Sequence, residues 1–80
     1  MNRKEIFEVF KQNIYEVVPE IEGVKITIED SLQDLGANSI DRAEIIMSTL
    51  ESVKVSIPMV EFGKLKTIRE IIEIIAARLK

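Results

Sequence analysis

The sequence predicts an all-α fold: a small four-helix bundle of three longer helices and one short one, with a long loop between the first two. Three observations lead there. Apolar residues recur at three- and four-residue spacings in three separate stretches, helix stop and start signals bracket those stretches, and only one short alternating run exists, Val24, Ile26 and Ile28, with no second run to pair with it. The 80 residues are expected to form one domain, 1–80. A chain of this size buries about 60–65% of its unfolded surface, so no deep enzyme cleft is expected.

The first helix is predicted over residues 3–18, where Ile6, Phe7, Phe10, Ile14, Val17 and Val18 share one face, and Pro19 ends it. The connection over 19–38 holds Ile21, Val24, Ile26, Ile28, Leu32 and Leu35. That is too much apolar surface for a free loop, so it should be pinned to the core. Gly36 permits a tight or left-handed turn at its end. The second helix is predicted from Ser39 to Val53, with Asn38 or Ser39 as its cap and Asp41 in its first turn, where a carboxylate suits the helix dipole. Its core stripe reads Ala43, Ile46, Met47, Leu50 and Val53, leaving Ile40, Glu44, Ser48 and Glu51 toward solvent. After Ile57-Pro58, the residues Val60, Phe62 and Leu65 suggest a short helical turn broken at Gly63. The last helix opens on the capping box Thr67-x-x-Glu70 and continues through Ile68, Ile71, Ile72, Ile75 and Leu79.

Composition removes whole classes of function. Cysteine and histidine are absent, so neither thiolate chemistry nor an imidazole base is available. A Ser–Lys pair has no lysine closer in sequence to Ser39 than Lys25 and Lys54. Asp34 and Asp41 read as caps rather than a catalytic pair. The calcium-loop spacing counted from Asp30 meets Leu32 and Leu35 where an acid and a glycine are required. No catalytic or metal-ligating residue is assigned. No apolar run approaches the ~20 residues of a membrane helix, and no signal-peptide pattern occurs. The expected address is the cytoplasm, with no membrane partner.

The net charge of −3 is unevenly spread. Residues 21–52 carry seven acidic and two basic groups, whereas residues 53–80, with Lys64, Lys66, Arg69, Arg78 and Lys80, carry six basic and three acidic. Asp30, Asp34, Asp41, Glu44 and Glu51 surround Ser39 in sequence. Nucleic acid is repelled from such a surface, and a protein with a basic patch is attracted to it.

Ser39 lies where a loop turns into a helix, beside unsatisfied N–H groups and the positive end of the dipole, a place that tolerates a phosphate. The run Asp34-Leu35-Gly36-Ala37-Asn38-Ser39-Ile40-Asp41, followed by Ala43-Glu44-Ile45-Ile46 and by Ile57-Pro58, resembles the attachment site of acyl carrier proteins. The resemblance covers essentially the whole chain. It implies that Ser39 carries 4'-phosphopantetheine, transferred from coenzyme A by a phosphopantetheinyl transferase with magnesium, and that the arm's thiol holds acyl groups as thioesters. The polypeptide would be a monomeric carrier and not an enzyme. Many fatty-acid carriers have Asp before the serine and Leu after it, where this chain has Asn38 and Ile40. Arg42 also interrupts an acidic face that is more uniform in many relatives.

The wording Gly-Ala-Asn-Ser-Ile-Asp-Arg-Ala-Glu is similar to freestanding carriers of polyketide pathways that install β-branches. There a carrier holds an acetyl group, made by decarboxylating malonyl, for an enzyme like hydroxymethylglutaryl-CoA synthase. Acyl-transferring, decarboxylating and condensing enzymes are the implied partners. Asp41, Glu44 and Glu51 would offer charge to them, and Ile40 and Met47 apolar contact, with Ile45 a further candidate; Met47 and Ile45 also read as core positions, Met47 more readily so than as a contact, which makes Ile40 the better contact candidate. Within the carriers the alternatives are a fatty-acid or a peptidyl carrier. Outside them, the same amphipathic pattern suits a cofactor-free helical interaction module.

Overall fold

Three helices, α1 (Arg3–Val17), α2 (Ser39–Val53) and α3 (Ile68–Arg78), carry the core in the computed structural model, which describes residues 1–79. Lys80, one of the basic residues of the last third, lies outside the described residues. There is no strand among the described residues, so Val24, Ile26 and Ile28 run through a loop. None of the helices is long and apolar enough to cross a membrane.

Each α-helix starts on a reciprocal capping box. Asn2 and Glu5 exchange side-chain and backbone hydrogen bonds before α1, Asn38 and Asp41 before α2, and Thr67 and Glu70 before α3. The α1 box has the polar-x-x-Glu form, Asn2-x-x-Glu5. Pro19 ends α1 as expected and opens a three-residue 3-10 turn, Pro19–Ile21. The expected fourth, short helix is a 3-10 turn over Met59–Phe62. Pro58 and Gly63 leave only four residues between them, Val60 is 84% exposed, and Phe62 alone is buried. One anchoring residue gives such a segment no apolar stripe with which to extend into an α-helix.

The core is aliphatic. Ile6, Phe10, Ile14, Ile45, Ile68 and Ile75 are fully buried, each contributing roughly 1.5–3 kcal/mol by leaving water. Two polar residues share this interior. The Asn13 Nδ2 donates to Thr49 Oγ1 (3.0 Å), whose hydroxyl donates to the Ile45 carbonyl (2.9 Å), and no buried side-chain polar atom is left unpaired among the described residues.

This pairing corrects the expected stripe of α2. Its buried residues are Ile45, Ile46, Thr49, Leu50 and Val53, while Ala43 is half-buried and Met47 is 52% exposed. Seating Thr49 inward against α1 turns Ile45 into the core and Met47 out of it.

The long loop is anchored at both sides. Ile26 and Leu32 enter the core, and Ile21, Ile28 and Leu35 pack against it, but Val24 stays exposed. The Tyr15 hydroxyl of α1 donates to the Val24 carbonyl (2.7 Å). The first N–H groups of α3 donate to loop carbonyls, Ile68 to Asp30 (2.9 Å) and Arg69 to Ile28 (2.8 Å). The loop thus caps α3 with its own backbone, and the Arg69–Glu29 ion pair lies beside that junction.

Candidate functional site

The seven residues 31–37, ahead of α2, form a self-contained turn. The Asp34 N–H donates to Ser31 Oγ (3.0 Å), the Ala37 N–H to the Leu32 carbonyl (3.0 Å) and the Gly36 N–H to the Gln33 carbonyl (3.0 Å). The last two bonds are the pair that closes a helical turn through a left-handed residue. Gly36 supplies that residue with φ +95°. A side chain there would meet nothing within 4 Å, so glycine is required by the backbone angle and not by crowding. Leu32 and Ala37, which close the turn, are both in the core. They fix where the chain emerges for Asn38 and Ser39.

Asn38, not Ser39, is the cap. Its Oδ1 accepts from the Asp41 N–H (2.8 Å), and Asp41 Oδ2 accepts from the Asn38 N–H (3.4 Å). The Arg42 N–H donates to the Asn38 carbonyl (2.9 Å). Ser39 is therefore the first helical residue, exposed, with a hydroxyl that has no hydrogen-bond partner among the described residues. The N–H groups of Ser39 and Ile40 are also free of backbone and side-chain partners there. Two open donors and the positive end of a 15-residue helix make the surroundings of Ser39 Oγ suited to a phosphate.

The other expected site residues divide. Ile40 (78% exposed), Glu44, Met47 and Glu51 lie along one exposed side of α2 at i, i+4, i+7 and i+11. Ser48, expected there, is half-buried. Asp41 is half-buried, and its carboxylate is occupied by the capping box. Ile45 is fully buried and is a core residue, not a contact residue. Arg42 does not interrupt the acidic face. Two residues on from Ile40 it is turned about 200° around the helix, and it faces a cleft beside Ser39.

That cleft is an open groove of about 920 Å³ between α2, the loop and the segment leading into α3. Ser39 and Arg42 stand on one side, Lys64 and Lys66 belong to another, and Leu32, Ile46, Phe62 and Leu65 are among its apolar lining. Sequence reasoning anticipated no such depression, because its walls come from segments about 30 residues apart. No group of three or more acidic, histidine or cysteine side chains able to hold a metal ion occurs among the described residues.

Comparison with known proteins places this geometry. The family model of the phosphopantetheine attachment site matches residues 12–75. A polyketide biosynthesis acyl carrier protein of Bacillus subtilis (strain 168), AcpK, is 45% identical over 75 residues, covering 94% of this chain and 92% of that protein. The chain belongs to the acyl carrier proteins. An acyl carrier protein of Thermosynechococcus vestitus (strain NIES-2133 / IAM M-273 / BP-1) is 36% identical to this carrier over 76 residues, 94% of this chain and 93% of that one. A solved structure, the HMG synthase of the curacin biosynthetic pathway in complex with acetyl-donor carrier, contains a chain that superposes with TM-score 0.89 at 35% identity, over 96% of this carrier and 99% of that chain. Membership makes this protein a carrier acted on by other enzymes, not a catalyst, and its cofactor is covalently held 4'-phosphopantetheine.

Proposed function

We propose that Ser39 is the residue that bears phosphopantetheine, and that the loaded carrier presents an acetyl or malonyl unit in polyketide β-branching to an enzyme of the HMG-synthase kind. The observation carrying the first part is the free, exposed Ser39 hydroxyl at the first position of α2, with Asn38 performing the capping that a serine in this place would otherwise supply. A phosphodiester on that oxygen would meet the open N–H groups of Ser39 and Ile40. The arm contributes a thiol that this cysteine-free chain lacks, and acyl groups ride on it as thioesters. The second part is supported by likeness to a polyketide biosynthesis carrier and to a chain solved with an HMG synthase. The exposed side of α2, with Ile40, Glu44, Met47 and Glu51 and with Asp41 at its head, is the docking surface for basic partners. On this reading residues 1–80 form one carrier domain working in the cytoplasm as a monomer, and Met59–Phe62 is the short fourth member of its bundle.

Intact mass after incubation with coenzyme A, magnesium and a broad-specificity phosphopantetheinyl transferase tests the site. One phosphopantetheine should be added to the wild type and none to Ser39→Ala; an unchanged mass gain in that variant would overturn the assignment. Comparing acetyl, malonyl, longer acyl and aminoacyl loads as substrates of an HMG synthase tests the pathway, and processing of acetyl no faster than the others would remove it. For the docking face, Glu44→Lys or Glu51→Lys should slow partner processing at low ionic strength and lose that penalty as salt rises. Equal rates at low salt would exclude acidic docking.

A further inference from the structure

Among the described residues, Arg42 is the arginine without a partner. The other three are each bound to a carboxylate: Arg3 to Glu73 (2.7 Å), Arg78 to Glu61 (2.6 Å), and Arg69 to Glu29. Arg42 makes no ion pair and no side-chain hydrogen bond among the described residues, although it sits in the acidic third of the sequence and is half-buried. A guanidinium in that position has given up part of its water without receiving an anion in return.

Its surroundings indicate what kind of anion it fits. Arg42 lines the same cleft as Ser39, on the side of α2 opposite the docking face. Lys64, which also has no ion pair among the described residues, joins it there. Lys66 lines the cleft as well, and its backbone N–H donates to Glu70 Oε1 (2.9 Å). Of the two carboxylates in the lining, Glu29 is held by Arg69, which leaves Asp34 as the uncommitted one. The lining beneath is apolar, with Leu32, Ala43, Ile46, Phe62 and Leu65. The cleft therefore combines an apolar floor with a cationic lip whose planar guanidinium suits two oxygens of one anion.

We propose that Arg42, assisted by Lys64, binds an anionic group carried by the arm on Ser39. It would thereby distinguish cargo ending in a carboxylate from neutral cargo, or anchor the arm at its phosphodiester. This rests on the assignment of Ser39 as the attachment residue. The two sources of the anion share the same oxygen chemistry and differ in when they appear. The phosphodiester is present once the arm is attached, and a cargo carboxylate only when a half-acid such as malonyl is loaded.

The experiment uses the full chain, isotopically labelled, in four states whose masses are first verified: apo, phosphopantetheinylated, acetyl-loaded and malonyl-loaded. The Nε–H resonance of Arg42 is followed, with those of Arg3, Arg69 and Arg78 as internal references. Its hydrogen exchange should slow by about three- to tenfold, and its shift should move while the references stay. A change on attaching the arm identifies the phosphodiester, and a change between acetyl and malonyl states identifies the carboxylate. In Arg42→Gln, spectral differences between the corresponding states at the Phe62 and Leu65 amides should disappear, whereas Arg42→Lys should keep part of them. An Arg42 signal identical in all four states, or differences that persist in full in Arg42→Gln, would overturn the proposal and leave the Ser39 assignment standing. Failure to add the arm at Ser39 would instead remove the assignment and this proposal with it.

Discussion

The N-termini of α2 and α3 are built from the same device and finished differently. Both start on a reciprocal capping box, Asn38 with Asp41 and Thr67 with Glu70. At α3 the loop comes back over the helix and its carbonyls take the N–H groups of Ile68 and Arg69. Ile68, the first helical residue, is completely buried. At α2 the corresponding residue is Ser39, exposed, and the N–H groups of Ser39 and Ile40 remain open. A cap satisfies one or two orphan donors and leaves the remainder for something else. Here the remainder is consumed by the fold at one helix and offered to solvent at the other. What separates the two helix starts is a returning backbone, present at α3 and absent at α2.

The sharpest way to break this comparison is truncation at the first helical position of each. Ile68→Ala should lower stability by about 2–5 kcal/mol, whereas Ser39→Ala should change it by no more than about 0.5 kcal/mol while eliminating arm attachment. Denaturant titration of both variants checks the pair, and comparable losses would show that the α2 start is also structural. Thr49→Val is next in size. It strands the Asn13 amide beside an apolar methyl and should cost about 1–3 kcal/mol, read from the same titration.

The caps should be worth less and be nearly equal. Asn38→Ala and Thr67→Ala are each expected to cost about 1 kcal/mol. Only the first should also slow attachment at Ser39, measured as the rate of mass gain, because the helix start beside the hydroxyl loses its fixed geometry.

The smallest effect concerns pH. Hydrogen bonds from the backbone N–H groups of Thr67 and Lys66 hold the Glu70 carboxyl below its ordinary range, despite a modest opposing effect of desolvation. The unfolded chain then binds the proton more readily than the folded one. The stabilisation is fully present above the ordinary glutamate range and is lost as pH falls through the lowered folded value. Stability measured from pH 6 down to about 3 should fall less steeply in Glu70→Gln than in the wild type. A matching slope would remove Glu70 from the acid response.

Much of this arrangement was legible in the sequence, for identifiable reasons. The start of α2 and the α3 capping box followed from cap chemistry, which is local and needs no knowledge of neighbours. Gly36 announced a left-handed turn for the same reason. The rotation of α2 was misjudged because periodicity counts Thr49 as polar and Met47 as apolar; the hydrogen bond from Asn13, 36 positions away, reverses both. That Arg42 lines the cleft beside Ser39 was not legible, because the facing wall comes from a distant segment. The cleft could not be foreseen, since its walls meet only after folding. The break at Gly63 was legible too, but the 3-10 form of the short segment Met59–Phe62 was not.

The Asn13–Thr49 bond has one more implication. An interior made almost wholly of isoleucine, leucine and valine offers many nearly equivalent ways for two rods to mesh, since one branched methyl group substitutes readily for another. A single amide meeting a single hydroxyl acts as a key in a slot: any other angular setting of the pair leaves the Asn13 amide without its acceptor, while the hydroxyl keeps only its bond to the Ile45 carbonyl. The compass bearing of the Ser39 hydroxyl, more than half a rod's length away, is thereby set by two residues hidden in the interior.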